Sequence, residues 1–176
     1  MSFALWLTGL PGCGKSSIAR ELLPLLHAGG ADAAILESDV MRTQLTPFPR
    51  YDARERDFFY AALVELGAFA AVRVPVIFDA TANRRGYRDA ARRRIVRFAE
   101  IFVDTPLEVC AARDPKGLYR AAREGGSATL PGPQAAYEAP PAPELTLHGD
   151  RGTPREAAAA ILAWLEARRW LTKRGA

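Results

Sequence analysis

"GLPGCGKS", residues 9–16, is the stretch from which the fold can be read. It matches the pattern G-x-x-x-x-G-K-[ST], whose glycines let backbone N–H groups turn inward around phosphate oxygens. An apolar run, FALWLT (3–8), precedes it, and an amphipathic segment begins at Lys15. The motif therefore lies between a predicted strand and a predicted helix, as its mechanism requires, and it predicts a phosphate-binding loop.

This loop is expected to bind ATP. Lys15 should reach the outer phosphates, Ser16 should ligate Mg²⁺, and the helix N-terminus adds a positive dipole. No N-K-x-D guanine motif and no D-x-x-G switch follows a strand, which favours a kinase over a GTPase. The predicted nucleotide-binding residues of the loop are Gly9, Pro11, Gly12, Cys13, Gly14, Lys15, Ser16 and Ser17.

Apolar segments alternate with amphipathic ones along the rest of the chain, which is typical of a parallel sheet covered by helices on both faces. After 3–8, strands are predicted at 33–38, 74–80, 100–104 and 144–149. The last helix should begin at Pro154, with Thr153 as its N-cap. We expect an α/β fold of the P-loop NTPase, nucleotide-kinase-like class, with a five-stranded parallel sheet and one domain over residues 1–176.

Composition excludes several functional classes. Hydrophobic residues make up 49% and charged residues 25%, with a net charge of only +4. No run approaches the ~20 apolar residues of a membrane span. Two cysteines are too few for a disulfide framework, so both are expected as free thiols, with Cys13 either oxidisable or a small filler. A cytoplasmic enzyme without a membrane or nucleic-acid partner is predicted.

Residues 84–97 are unusually rich in arginine. Arg84, Arg88 and Arg92 fall on one face of the predicted helix. Stacking aromatics are not interleaved with them beyond Tyr87, so a nucleic-acid stripe is disfavoured. We expect a solvated face with one or two phosphate contacts.

Two acidic residues follow predicted strands and so should face the loop. Asp39 could accept the proton of an acceptor hydroxyl, hold a Mg²⁺-bound water, or cap a short helix. Asp79, at the end of VPVIFD, could contact Mg²⁺ through water or cap the next turn. Both alternatives stay open at each position.

The segment at about 114–143 is rich in Gly, Pro and Ala and has no clear period. Long irregular segments of this kind are often active-site lids. It follows Arg113 and opens with a basic stretch, DPKGLYRAAREGG (114–126). We expect a mobile lid that closes cations over a transferring phosphoryl group.

The same segment carries a more specific signal. PLEVCAARDPKGLYRAAREG (106–125), followed by a glycine turn and YEAPPAPEL (137–145), closely resembles the adenylylsulfate kinase family. The resemblance implies transfer of the ATP γ-phosphoryl group to the 3′-hydroxyl of adenosine 5′-phosphosulfate in sulfate activation, and a homodimer. It implies catalytic roles for Lys15, Asp39 and Lys116, and a nucleotide contact for Arg113. The acceptor residues that it implies are Asp39, Arg42, Phe48, Arg56, Lys116 and Leu130.

Three departures from the family pattern keep an alternative open. Leu130 stands where the family has an aromatic residue, Gln134 replaces an aspartate, and the loop at 52–57 is altered. The alternative is a P-loop kinase of another small hydroxyl substrate, such as a nucleotide derivative, a metabolite or an antibiotic.

Overall fold

A computed structural model describes residues 2–126 and 129–171. Strands and helices alternate along this part of the chain. The strands are β1 (Ala4–Thr8), β2 (Ala34–Glu37), β3 (Val76–Asp79), β4 (Phe98–Asp104) and β5 (Leu145–His148). The helices are α1 (Lys15–Ala28), α2 (Ser38–Leu45), α3 (Ala53–Ala70), α4 (Arg85–Arg94), α5 (Leu107–Arg113), α6 (Leu118–Arg123) and α7 (Pro154–Ala167).

The five strands form one parallel sheet in the order β2-β3-β1-β4-β5. This confirms the predicted α/β class and sheet. Because all strands run the same way, their carboxyl ends meet at one edge, where ligands of open α/β sheets bind. The phosphate loop follows the central strand β1, so it lies in the middle of that edge.

Apolar side chains on each face of the sheet pack against a separate layer of helices. One cluster includes Leu5, Leu7 and Leu22, together with residues of α7. The other includes Trp6 and Phe78, whose rings stack with centroids 4.4 Å apart. Successive residues of β1 thus point to opposite faces and are all buried, as expected of a central parallel strand.

The first residues of two helices, α7 and α1, lie where neighbouring residues in the sequence predict them. α7 begins at Pro154 with a capping box, in which Thr153 Oγ1 accepts from the Glu156 N–H at 3.2 Å. α1 begins at Lys15, directly after Gly14 in a left-handed conformation with φ 109°. These signals depend on neighbours in sequence, which is why they can be recognised without the fold.

The arginine-rich helix α4 is shorter than predicted and ends at Arg94. The prediction of a solvated face is wrong for Arg88, whose side chain is completely buried. Its guanidinium pairs with Glu100 of β4 and donates to two backbone carbonyl groups. Arg92 bridges Glu144 and Glu100 at the sheet's edge. This face of the helix is a structural ion-pair network, and neither arginine lines the cleft at the carboxyl edge of the sheet.

The segment 114–143 holds one short helix, α6, and otherwise irregular backbone with a single bridge between Pro131 and Ala135 in its described part. Among the described residues, no helix is long and apolar enough to cross a membrane.

Candidate active site

A cleft of about 480 Å³ lies at the carboxyl edge of the sheet. Five segments of the chain meet in it: the phosphate loop, the end of β2, the end of β3, the start of the lid segment, and the β5–α7 loop. Its polar lining includes Lys15, Ser16, Asp39, Asp79, Arg113 and Lys116. The cleft thus contains the predicted catalytic residues and all of the predicted donor-side residues except Gly9.

Lys15 points back into the phosphate loop. Its ammonium group donates hydrogen bonds to the carbonyl oxygens of Gly9 at 3.0 Å and Leu10 at 2.9 Å. The residue is only 8% exposed, and its amine also lies 3.5 Å from the Cys13 sulfur. The positive charge therefore lies within the loop, of which residues 11–17 line the cleft.

The loop needs glycine where β1 ends. Gly9 has φ 151°, and a Cβ there would lie 2.5 Å from the Val103 carbonyl oxygen of β4. A side chain at this position would force the loop away from the sheet. Glycine therefore lets the phosphate loop pack tightly over the end of the neighbouring strand.

Oxygen donors from three elements line the cleft, as a Mg²⁺ site requires. Ser16 is the second residue of α1, Asp39 lies in the first turn of α2, and Asp79 ends β3 with 3% exposure. No group of three or more potential acidic, histidine or cysteine ligands occurs in the described residues. Mg²⁺ at phosphoryl-transfer sites is usually held by one or two carboxylates and the substrate's phosphates, so these residues fit it.

Lys116 and Asp39 form an ion pair across the cleft. Lys116 comes from the turn between α5 and α6, and Asp39 comes from α2. Burial acts to lower the pKa of Lys116, but the hydrogen bond and negative charge of Asp39 outweigh it and raise that pKa. The ammonium group therefore stays charged, and it stands beside a carboxylate that lines the same cleft as Lys15.

The β5–α7 loop completes the cleft, and sequence reasoning did not place it there. His148, Arg151 and Thr153 line the cleft on this side. Arg113 donates to the Gly149 carbonyl at 2.8 Å. A Cβ at Gly149 would lie 2.4 Å from the Cys13 carbonyl oxygen, so this loop rests directly on the phosphate loop. The Thr153–Pro154 pair was a visible signal, but it indicated only the start of a helix.

Four predicted acceptor residues do not line the cleft. Arg42 is paired with Glu55 at 2.7 Å, with its guanidinium 4.1 Å above the Phe59 ring. Phe48 is 92% exposed on the loop after α2. Arg56 donates to the Thr129 carbonyl group. Leu130 is buried and belongs to the core cluster that also contains residues of α1 and α7.

Comparison with known proteins agrees with this geometry. A family model described as adenylylsulphate kinase matches residues 1–148. The chain belongs to the adenylylsulphate kinase family. The lid motif from which the resemblance was read lies within the matched region.

Individual relatives of this adenylylsulphate kinase family member differ in length. It is 39% identical to the adenylyl-sulfate kinase of Saccharomyces pastorianus over 166 residues, covering 92% of this chain and 82% of the yeast protein. It is 41% identical to the bifunctional enzyme NodQ of Rhizobium meliloti over 174 residues, which cover 93% of this chain. The chain spans only 26% of the length of that NodQ enzyme.

A solved relative shares the whole architecture. The Mycobacterium tuberculosis APS kinase CysC, solved in complex with AMPPNP and APS, superposes with a TM-score of 0.87 at 32% identity. The match covers 94% of this chain and 98% of the mycobacterial chain. This family member therefore shares its fold with a kinase that was solved with an ATP analogue and APS.

Both thiols of this family member are buried and free. Cys13 lies in the phosphate loop and Cys110 in α5, and both side chains have no measurable exposure. Burial raises the pKa of Cys110 to about 11, and the nearby Cys13 adds to this shift. Cys13 therefore fills space between the loop and the sheet, which favours the filler interpretation over the oxidisable one.

A thiol titration tests this interpretation. At pH 8 both cysteines should react with an aromatic disulfide reagent at least about a hundredfold more slowly than free cysteine, because both side chains are buried. Denaturant should release both thiols. A Cys110→Ser variant assigns the signals, and rapid reaction of Cys13 in the native protein would contradict the expectation.

Proposed function

We propose that this kinase transfers the γ-phosphoryl group of ATP to the 3′-hydroxyl of adenosine 5′-phosphosulfate, producing 3′-phosphoadenosine 5′-phosphosulfate and ADP. The observation that carries this proposal is that Lys15, Ser16 and the Asp39–Lys116 ion pair line one cleft. It is supported by the family match over residues 1–148 and by likeness to a kinase solved with AMPPNP and APS.

On the donor side, the phosphates of ATP should lie over the N-terminus of α1. Backbone N–H groups of residues 9–17 and the Lys15 ammonium group offer hydrogen bonds to phosphate oxygens. The nucleoside should extend toward Arg113 and the β5–α7 loop, because the cleft continues in that direction. Ser16 and Asp79 would hold Mg²⁺, which supplies charge neutralisation at the outer phosphates when bound.

On the acceptor side, Asp39 should orient the attacking hydroxyl. Its carboxylate can accept the hydroxyl proton as the O–P bond forms, or it can hold a water bound to Mg²⁺. Lys116 keeps its proton because its pKa is raised, so it offers a cation to the equatorial oxygens of the transferring group. Catalysis is then mainly positioning and charge stabilisation, as expected for a loose transition state.

Lys116→Ala is expected to lower kcat by about 10- to 100-fold, through loss of one charge-assisted contact in the transition state. Lys116→Arg should retain more activity, since it keeps a permanent cation. Initial rates of ADP release at saturating ATP measure the effect. Equal kcat values for the parent and Lys116→Ala would remove Lys116 from the mechanism.

The function itself is tested by ADP release from Mg·ATP in a coupled assay with adenosine 5′-phosphosulfate as acceptor. Mass spectrometry of the product then locates the added phosphate. We expect acceptor-dependent turnover and a 3′-phosphorylated product. ATP turnover that is indifferent to this acceptor would overturn the proposal.

One observation favours a second candidate, a kinase of another small hydroxyl substrate. Leu130 is buried in the core and Arg42 is occupied by Glu55, so neither presents itself to the cleft. A panel of hydroxylated nucleotides, sugars and aminoglycosides in the same assay separates the candidates. Higher kcat/KM for a member of the panel would select this alternative.

The wider organisation is also a proposal. We propose that residues 1–176 form one domain and that the kinase works as a homodimer in the cytoplasm. The family resemblance supports the dimer, and the absence of a membrane-crossing helix among the described residues is compatible with the location. Light scattering after size-exclusion chromatography measures the mass, for which we expect twice the 19.2 kDa of one chain.

A further inference from the structure

The end of the lid segment is fastened to the turn that follows β3. Asn83 Nδ2 donates to the Ala136 carbonyl oxygen at 3.0 Å, and the Glu138 N–H donates to the Asn83 carbonyl at 2.8 Å. The Arg85 N–H donates to the Glu138 carboxylate at 2.7 Å. These bonds join two segments that are more than fifty residues apart in sequence, so residues 136–138 are a fixed base for the lid.

The turn after β3 is itself held in an uncommon conformation. Ala82 is fully buried and has φ 44°, in the left-handed region that a residue with a Cβ rarely adopts. Its N–H donates to the Tyr60 hydroxyl at 2.9 Å, and its carbonyl accepts from the Arg88 guanidinium. Such strain persists where surrounding contacts over-determine it, and it is often found at functional sites.

A chain of two hydroxyl groups connects this base with the phosphate loop. Thr8, fully buried, immediately precedes Gly9, and its Oγ1 donates to the Thr81 carbonyl oxygen at 2.7 Å. The Tyr137 hydroxyl lies 2.9 Å from the same Oγ1. Because Thr8 has one hydroxyl proton and a carbonyl can only accept, Tyr137 must be the donor to Thr8.

The tyrosine ring is placed so that this hydroxyl cannot easily move. It stacks on Phe102 of β4 with centroids 6.3 Å apart, and the Arg88 guanidinium lies 5.8 Å from its centre. Burial raises the pKa of Tyr137, so the hydroxyl keeps the proton that it donates. Thr81, which accepts the last of these hydrogen bonds, lines the cleft two residues after Asp79.

We propose that Tyr137 is a positioning residue for phosphoryl transfer, acting through Thr8 and Thr81 to hold the start of the phosphate loop and the Asp79 strand end in register. Tyr137 lies outside the cleft lining and so is assigned no substrate contact. The inference rests on the proposed kinase function. Residues 136–138 would then help to align the phosphoryl donor with its acceptor. Small displacements of aligned reacting groups greatly lower the rate of transfer.

Tyr137→Phe removes one hydroxyl and keeps the ring packing. We expect kcat to fall about 5- to 20-fold, as for loss of one buried hydrogen bond that orients reacting groups, while the KM for ATP changes less than about threefold. Thr8→Val should give a similar loss, and Thr8→Ser should restore much of the activity because it keeps the hydroxyl. Thr146→Val, at an exposed threonine of β5 outside the cleft lining, is the matched control.

The double variant Tyr137→Phe/Thr8→Val decides between positioning and mere structural support. The hydrogen bonds from Tyr137 through Thr8 to Thr81 are called the relay here. If both residues act through this one relay, the second substitution should add less than about twofold to the loss in kcat per active site. Multiplicative losses would overturn the relay. An unchanged kcat in Tyr137→Phe would overturn it as well.

Hydrogen exchange separates failure of this inference from failure of the proposed function. Peptides covering residues 8–10, 81–83 and 136–138 should exchange at least about tenfold faster in Tyr137→Phe than in the parent, while peptides in α7 keep their rates. Unchanged protection in all three overturns the relay, whatever the acceptor. Absence of turnover in the parent enzyme, with faster exchange in the variant, overturns only the assigned reaction.

Discussion

Replacing Lys15 with alanine is expected to lower kcat for phosphoryl transfer by about a thousandfold or more. The variant loses the cation that we expect to contact the outer phosphates, and removal of one preorganised charge-stabilising group commonly costs about 100- to 1,000-fold in kcat. Lys15 also donates to the Gly9 and Leu10 carbonyl oxygens, so its loss loosens the loop that orients the phosphates. The coupled ADP assay with adenosine 5′-phosphosulfate measures this loss.

The matched control is Arg93→Ala. Arg93 is an exposed cation on α4, outside the cleft lining, so its removal changes the net charge by the same amount without touching the site. We expect its kcat to stay within about twofold of the parent, as for most exposed surface substitutions. Thermal unfolding of both variants should remain cooperative. A Lys15→Ala enzyme with more than a tenth of the parent's kcat would contradict the assigned role.

The largest effect on stability is expected from Arg88→Met. Methionine keeps much of the side-chain volume but leaves Glu100, which is 4% exposed, without its closest cation. Breaking a buried ion pair by removing one partner costs about 3–5 kcal/mol, because an uncompensated charge remains in the interior. Urea unfolding followed by tryptophan fluorescence should show this decrease in the free energy of unfolding, since Trp6 lies in the adjoining core.

Arg94→Met on the same helix is the control. Arg94 pairs with Glu65, but their side chains are 56% and 60% exposed. Exposed ion pairs contribute about 0–1 kcal/mol to stability. The free energy of unfolding of this variant should therefore lie within about 1 kcal/mol of the parent's. Similar decreases in the free energy of unfolding for Arg88→Met and Arg94→Met would contradict the larger effect expected at the buried ion pair. Reduced loss in an Arg88→Met/Glu100→Gln double variant would support the unpaired-charge explanation.

The donor half of the site was accessible from sequence because its signals are local. The spacing of Gly9, Gly14, Lys15 and Ser16, between an apolar run and an amphipathic segment, requires only neighbouring residues to be recognised. The five strands and the Thr153 cap are likewise short-range patterns. The predicted roles of individual site residues remain predictions until the variants described above are measured.

The residues that sequence reasoning placed wrongly or missed depend on partners far along the chain. The local sequence pattern around Arg88 is typical of an exposed arginine. Only its packing against Glu100 and the lid base buries the side chain. Gly149 and Arg151 reach the cleft because β5 pairs with β4 and returns the chain to the loop edge. No local periodicity encodes such distant pairings.

The amino-acid sequence by itself determined the phosphate loop, the alternation of strands and helices, and the family to which the lid motif belongs. These depend on backbone conformational preferences and hydrophobic period, which act over a few residues. Only the tertiary structure decided that Asp39 meets Lys116, that Arg42 is occupied by Glu55, and that Tyr137 is joined to Thr8. Asp39 meets Lys116 because the lid segment returns to the carboxyl edge of the sheet, and Arg42 meets Glu55 because α2 and α3 pack together. Tyr137 and Thr8 are brought together from distant parts of the chain into the interior, where buried polar groups must find partners.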